Sequence, residues 1–150
     1  MRQKIKIRQA QLDDLDAVSE LLRQLHDQHP WRDSLKEKAE ATLVEIINHP
    51  RRYLFVAEID DAVVGTNDLT IVPNLTHQLS PWGMIENVIV SNQYRNLGVA
   101  IALMQSALDQ AQREGCYKVE LISADYRTAS HQLYQKLGFQ ENAKAFRFYF

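Results

Sequence analysis

The feature that most constrains the fold is a short apolar segment that runs through a polar turn directly into a helix. Residues 84–90 read MIENVIV, an apolar segment interrupted only by Glu86 and Asn87. After the turn, apolar side chains recur at helical spacing over residues 98–114, and a further strand is predicted at 117–124. A strand, a crossover helix and a strand form a unit with two parallel strands and a right-handed connection.

The rest of the chain predicts a mixed α/β sheet around this unit. Further elements are predicted from apolar periodicity and turn residues: strands at 4–9, 53–59 and 62–72, helices at 13–29, 34–48 and 128–137, and a final strand pair over 139–150. The element order is therefore β-α-α-β-β-β-α-β-α-β-β. It predicts a single domain spanning residues 1–150, with a mostly antiparallel sheet and helices on both of its faces.

Charge and cysteine content argue against several classes of function. The chain has 17 Lys and Arg residues against 19 Asp and Glu, a net charge of −2, so we expect no nucleic acid partner. The single cysteine, Cys116, excludes an intrachain disulfide and a cysteine zinc cluster. His26 and His29 are more typical of surface histidines near a helix end than of metal ligands, so no metal is expected.

The N-terminal residues, MRQKIKIRQAQ, are too polar for a signal peptide. No apolar run approaches the ~20 residues that a membrane helix needs. We therefore expect a cytoplasmic protein with no membrane partner.

The turn at residues 91–97 has the features of an anion-binding site. A loop between a strand and a helix presents free backbone N–H groups and the positive end of the helix dipole. Gly98 allows close approach of a ligand to the backbone, Arg95 adds a bidentate donor, and Ala100 is small. Together they predict a pyrophosphate site, although arginine and glycine are also common at ordinary turns. The Walker and dinucleotide-binding glycine patterns are absent.

Two motifs and the element order resemble the GNAT superfamily of acetyl-CoA-dependent N-acetyltransferases. Residues 95–100, RNLGVA, resemble the family signature Gln/Arg-x-x-Gly-x-Gly/Ala, and residues 133–139, LYQKLGF, resemble its later Tyr-x-x-x-Gly-Phe block. Residues 84–90 and 115–119 are similar to glucosamine-6-phosphate N-acetyltransferases and to small bacterial acetyltransferases. The sugar-phosphate enzymes usually have Glu-Asp where this chain has Glu86-Asn87, a departure that concerns the substrate and not acetyl transfer.

The resemblance implies acetyl-CoA as co-substrate and assigns residues to it. The backbone of Val88, Ile89 and Val90 would bind the pantetheine arm, and Ser130 would face the same cleft. The strands at 84–90 and 117–124, a central parallel pair, would splay apart to admit the ligand. The residues that would hold the pyrophosphate are Arg95, Asn96, Leu97, Gly98, Val99 and Ala100.

Acetyl transfer to an amine needs a base, an oxyanion donor and an acid. Tyr134 is the candidate acid, because a phenol with a pKa near ~10 is protonated at neutral pH. Glu86 is the candidate base or ammonium ligand, because a carboxylate within a strand is costly unless it faces water or a partner. The backbone N–H of Asn87 or Val88 would polarise the thioester carbonyl. The alternatives are that Tyr134 is a packing aromatic and that Glu86 pairs with an arginine for structure.

The first function predicted is transfer of acetyl from acetyl-CoA to a primary amine on a small molecule, without a covalent intermediate. The alternatives are acetylation of a protein lysine or N-terminus, and a non-catalytic acyl-CoA-binding sensor. Asp68, His77 and Trp82 flank the central strand, where they either border the acceptor pocket or pack a loop. A homodimer is expected because Phe146, Phe148 and Phe150 would offer an apolar strand edge and because relatives are often dimers.

Overall fold

The computed structural model describes residues 3–150. Within that range the strands are β1 (Lys6–Gln9), β2 (Arg52–Ile59), β3 (Ala62–Val72), β4 (Trp82–Val90) and β5 (Val119–Leu121). The α-helices in the same range are α1 (Leu15–His26), α2 (Lys36–Asn48), α3 (Val99–Arg113) and α4 (Thr128–Lys136). Short 3-10 turns lie at Leu12–Asp14, Asp33–Leu35, His77–Leu79 and Asn92–Tyr94.

The strands form one sheet in the order β1-β2-β3-β4-β5. The first three pairings are antiparallel. The parallel β4–β5 pair begins where the Gly83 N–H donates to the Lys118 carbonyl at 3.0 Å. The predicted fold class, a mixed and mostly antiparallel sheet with a parallel strand pair and flanking helices, is confirmed.

The final strand pair predicted over residues 139–150 is wrong. Among the described residues, none after β5 lies in a strand. Phe146, Phe148 and Phe150 are 91%, 82% and 116% exposed. Alternating aromatic residues favour a strand only when one face of that strand is covered, and neither face of this segment is.

Two compact units make up the chain, the first ending at Glu120 and the second running from Leu121 to Phe150. The second unit contains α4 and the C-terminal segment. The first contains β1 to β4 and α1 to α3. The single domain over residues 1–150 stays a prediction.

Helices cover both faces of the sheet in the first unit. On one face, Val18 of α1 packs with Ala10 and Val56 in a buried apolar cluster. On the other face, α3 contributes Leu103 and Met104, both fully buried. Because neighbouring residues of a strand point to opposite faces, both faces of β3 are enclosed at its centre. The first unit thus has a core on each side of its central strands.

Candidate active site

The central strand β4 is irregular at its middle. Thr66 of β3 lies opposite Ile89, and Asp68 lies opposite Glu86, so Asn67 alone opposes two residues of β4. Those two residues are Asn87 and Val88, and Asn87 has a φ of 52°. This is a β-bulge, in which the extra residue is left out of the ladder and its backbone groups are not paired. The bulge therefore leaves a backbone N–H of Asn87 or Val88 out of the ladder near the middle of the strand.

The turn after β4 is followed by a second set of unpaired backbone donors, at the start of α3. β4 ends at Val90, and the Ser91 N–H donates to the Val64 carbonyl at 2.8 Å. The first hydrogen bond of α3 is donated by the Ala102 N–H to the Gly98 carbonyl at 3.1 Å. The N–H groups before Ala102, from Val99 to Ile101, therefore have no acceptor within the helix. These donors and the helix dipole favour an anion at this point.

The side chains of the turn leave its donors accessible. A Cβ on Gly98 would meet no described residue other than its two neighbours within 4 Å, and its φ of 86° explains why a glycine is needed there. Val99 is 1% exposed and anchors the helix start in the core. Arg95 is exposed, and none of its polar atoms makes a hydrogen bond or an ion pair to the described part of the chain. The arrangement fits a diphosphate, because the unpaired backbone N–H groups and the free Arg95 guanidinium belong to the same strand-to-helix turn.

Glu86 lies beside a half-buried ion pair, Arg52–Asp68. Its strand partner Asp68 is 6% exposed and accepts two hydrogen bonds from Arg52, at 3.1 Å from Nε and 2.6 Å from Nη2. These bonds raise the pKa of the Arg52 guanidinium, and the nearby charges of Glu86 and Glu45 add to that effect. Arg52 is thus hydrogen-bonded to Asp68, while Glu86 acts on it only through its charge. Glu86 itself is exposed, so its carboxylate is hydrated within the strand.

In the second unit, Tyr134 belongs to a closed helix end. α4 ends at Lys136, and Gly138 follows with a φ of 97°. The Gly138 N–H donates to the Gln135 carbonyl and the Phe139 N–H to the Tyr134 carbonyl, both at 3.0 Å. This pattern is a Schellman cap, in which a left-handed glycine turns the chain back over the last turn. The Phe139 ring consequently packs edge-on against the Tyr134 ring, with centroids 6.0 Å apart.

The Tyr134 hydroxyl has a polar partner one helical turn earlier. Burial raises the pKa of the Tyr134 phenol, while the charge of Arg127 and a hydrogen bond with Ser130 act in the opposite direction. The phenol is therefore protonated at neutral pH. Ser130 was expected only to face the cleft, and its contact with Tyr134 was missed. The signal was available, since residues four apart lie on the same helix face.

The other candidate residues have local structural partners. His29 contacts Ser19 Oγ through its Nε2 at 3.3 Å, and no group of metal ligands is present among the residues described. His77 stacks on Tyr117 with centroids 3.9 Å apart, so its loop is packed by aromatic contact. Burial raises the pKa of the Cys116 thiol, which disfavours a nucleophilic thiolate. In residues 3–150, no helix is long and apolar enough to cross a membrane.

Comparison with known proteins identifies the family. The sequence model described as the Acetyltransferase (GNAT) family matches residues 15–139. Over 158 aligned residues the chain is 30% identical to an N-alpha-acetyltransferase of Sulfurisphaera tokodaii, covering 97% of this chain and 85% of that protein. An acetyltransferase of Trypanosoma brucei with a solved structure is 27% identical, with a TM-score of 0.83 over 98% of this chain and 100% of that one.

A third relative matches over a shorter region. The chain is 35% identical to a glucosamine 6-phosphate N-acetyltransferase of Trypanosoma brucei brucei, over 57% of this chain and 56% of that protein. The match thus spans about half the length of that relative. The chain belongs to the Acetyltransferase (GNAT) family, and the resemblance drawn from its motifs is confirmed. The class of enzyme that follows is an acetyltransferase.

Proposed function

We propose that this chain transfers the acetyl group of acetyl-CoA to a primary amine on a small molecule, by direct attack of the amine. The observation that carries the proposal is the β4 bulge at Asn87, followed along the chain by the open start of α3. A thioester linked to a diphosphate needs hydrogen-bond donors for both of these groups. Family membership supports acetyl-CoA as the donor.

The backbone of the first unit would bind acetyl-CoA. Ile89 and Val90 have buried side chains, which leaves only their backbone groups for the amides of the pantetheine arm. The N–H groups of residues 99–101 and the Arg95 side chain would take the diphosphate. A freed N–H at Asn87 or Val88 would donate to the thioester oxygen. Such a donor, fixed before the reaction, stabilises the charge that develops on that oxygen.

Glu86 would prepare the amine. An alkyl ammonium has a pKa of about 10.4 and cannot attack a carbonyl until it loses a proton. An exposed carboxylate one residue before the bulge would hold the ammonium and accept its proton, directly or through a water. The C–N bond then forms as the amine attacks the thioester carbon, and the C–S bond breaks.

Tyr134 would protonate the departing thiolate. Its phenol is protonated at neutral pH because burial raises its pKa. The products are an N-acetyl amide and coenzyme A with a free thiol. An ammonium loses two protons as it becomes an amide: one leaves to solvent by way of Glu86, and the other restores the phenol after Tyr134 has protonated the thiolate. Neither acyl-enzyme nor metal enters this scheme. A homodimer and a cytoplasmic location are also part of the proposal.

A small-molecule acceptor is supported by the trypanosome relative, whose name gives an amino sugar phosphate as its substrate. A second candidate acceptor is the N-terminal amine of a protein. It is favoured by the match to the Sulfurisphaera N-alpha-acetyltransferase, which covers 97% of this chain. The two acceptors share the chemistry of amine attack and differ in the size of the group that carries the amine.

The test combines binding with turnover on the same sample. We expect acetyl-CoA to raise the melting temperature, because a ligand that binds only the folded state stabilises it. Thiol release is then followed with amino sugars, polyamines, amino acids and peptides with free N-termini, using the N-acetylated form of each as its control. Release with small amines supports the proposal, and release with peptides alone supports the second candidate. Binding of acetyl-CoA without thiol release on any amine would favour a non-catalytic acyl-CoA-binding sensor. No binding would refute acetyl transfer.

A comparison of two variants tests the role of Glu86. Glu86→Gln keeps the shape of the side chain and removes its charge, so we expect kcat/KM for the amine to fall by about 10²-fold. Glu120→Gln is the matched control, since Glu120 is also an exposed strand carboxylate and pairs with Lys118. Equal rates for the two variants would remove Glu86 from the mechanism.

A further inference from the structure

The middle of β3 contains three consecutive buried polar residues. Thr66, Asn67 and Asp68 are 1%, 0% and 6% exposed. Burying polar groups is costly unless each finds a hydrogen-bond partner. Thr66 donates to the Phe55 carbonyl at 2.8 Å, and Asp68 binds Arg52, so both of these are satisfied within the sheet. Asn67 is the member of the three that bonds outside the sheet.

Asn67 connects β3 to the start of α3. Its side-chain Nδ2 donates to the Leu103 carbonyl at 3.0 Å. Leu103 lies four residues after Val99, the first residue of the helix, so the bond holds the first turns of α3. On its other side, the backbone of Asn67 lies opposite the two bulged residues of β4. Asn67 thus contacts α3, whose first N–H groups are unpaired. Its backbone also lies opposite the β4 bulge, which would supply the other donor.

Gly65 supports the same contact from two positions earlier. A Cβ on Gly65 would lie 3.0 Å from Leu103 Cδ1 and 3.2 Å from Val99 Cγ1. Since alternate residues of a strand share a face, Gly65 and Asn67 both face α3. Glycine lets the helix approach the strand closely, and the Asn67 amide fixes where the helix sits along it.

The Asn67 amide also destabilises the folded chain at one of its atoms, which packing alone does not explain. Its Oδ1 is buried and has no hydrogen-bond partner in the described part of the chain. An unsatisfied buried acceptor is unfavourable, and an apolar side chain of similar size would avoid the penalty. The benefit of an asparagine here therefore lies in what its Nδ2 holds.

We propose that Asn67 is a positioning residue for acetyl-CoA, setting the distance between the donors of the β4 bulge and those at the start of α3. This inference rests on the proposed function. The two sets of donors would bind two ends of one ligand, so their separation has to match that ligand closely. Asn67 touches neither the ligand nor the reacting atoms and acts through α3.

The test compares Asn67→Leu with Thr66→Val at a temperature where both variants are folded. Each variant loses one buried side-chain hydrogen bond to a backbone carbonyl, but the Thr66 bond stays within the sheet. We expect Asn67→Leu to raise both KM and Kd for acetyl-CoA about 10-fold and to lower kcat. Thr66→Val should lower the melting temperature and leave KM, Kd and kcat within about twofold of the wild type.

Should Asn67→Leu fail to fold, Asn67→Ser replaces it, since serine is small and its hydroxyl is too short to reach Leu103. The proposal is overturned if the Asn67 and Thr66 variants both lose thermal stability and keep wild-type KM, Kd and kcat. A wild-type chain that neither binds acetyl-CoA nor releases thiol would refute the proposed function and this inference together. Wild-type binding with an unaffected Asn67 variant would refute the inference alone.

Discussion

The two ends of α3 have the same glycine geometry and opposite backbone chemistry. Gly98 before the helix and Gly115 after it have φ values of 86° and 78°. Apart from the adjoining residues, a Cβ on either would meet no atom of residues 3–150 within 4 Å. At the end of the helix, the Gly115 N–H donates to the Gln112 carbonyl and the Cys116 N–H to the Ala111 carbonyl, both at 3.0 Å. At the start, the N–H groups of residues 99–101 make no such hydrogen bond within the described part of the chain. The open end is therefore the one suited to a ligand.

A glycine or a helix terminus alone does not mark a binding site, because both ends of α3 have them. The difference is whether the chain satisfies its own backbone groups. The end of α4 is closed in the same way as the end of α3, through Gly138 and Phe139. At that closed end the proposed chemistry belongs to a side chain, the Tyr134 hydroxyl. At the open start of α3 it belongs to the backbone.

The largest expected effect is on kcat, when the Tyr134 hydroxyl is removed. Tyr134→Phe removes the hydroxyl and keeps the ring that packs on Phe139, so we expect kcat to fall by about 10²–10³-fold. KM for acetyl-CoA should stay within about twofold, since no backbone donor changes. Steady-state kinetics at saturating amine measure both constants, and Phe139→Leu is a control for loss of the ring contact. An unchanged kcat would exclude Tyr134 as the acid.

The same residue predicts the behaviour at high pH. Tyr134 acts while protonated, and burial raises its pKa above the ordinary value of 10.0. The contribution of the phenol should therefore persist as pH rises to 10 and be lost only above it. A fall in kcat above pH 10 that the wild type shows and Tyr134→Phe lacks would support this assignment. If kcat fell near pH 7 in both the wild type and Tyr134→Phe, the fall would belong to another titrating group.

The next effect concerns charge at the two ends of α3. Ile101 is 50% exposed in the first turn, and a glutamate there suits the positive end of the helix dipole while repelling a diphosphate. We expect Ile101→Glu to keep the melting temperature and to raise Kd for coenzyme A by at least about 10-fold, roughly the 1.4 kcal/mol of one tenfold step. Gln112→Glu, at the other end, should leave Kd unchanged. Equal affinities for the two variants, measured by calorimetry, would contradict a diphosphate site at the helix start.

A third pair of variants isolates the glycines. Gly98→Ala and Gly115→Ala place the same side chain in the same left-handed conformation, and each should cost about 1 kcal/mol of stability. Only Gly98→Ala adds a methyl group beside the open donors, so only this variant should raise KM for acetyl-CoA, by about threefold to tenfold. Thermal unfolding and kinetics on both variants provide the comparison. A KM that rises equally in both would mean that helix stability controls binding.

Much of the open end could be predicted from the sequence, because strand, turn and helix each have a local signal there. Val88 to Val90 is apolar and Gly98 precedes a helical period. The bulge was missed, although Glu86 and Asn87 are adjacent and polar in a strand whose residues should alternate between faces. The C-terminal strands were wrong for the opposite reason. Their alternating aromatic residues are a local pattern, but a strand forms only with a partner, which a local pattern does not supply.

The smallest expected effect tests whether the start of α3 binds acetyl-CoA through its backbone N–H groups. Leu97 lies between Asn96 and Gly98 in the signature and is 50% exposed, so its side chain makes few contacts with the core. We expect Leu97→Ala to change KM, kcat and the melting temperature by less than about twofold or about 0.5 kcal/mol, as for other surface substitutions. Leu97→Pro is the contrasting variant, since proline removes a backbone N–H and restricts the turn. If Leu97→Ala weakened acetyl-CoA binding as much as Leu97→Pro, recognition would depend on the side chain, and the contrast between the two ends of α3 would not explain the site.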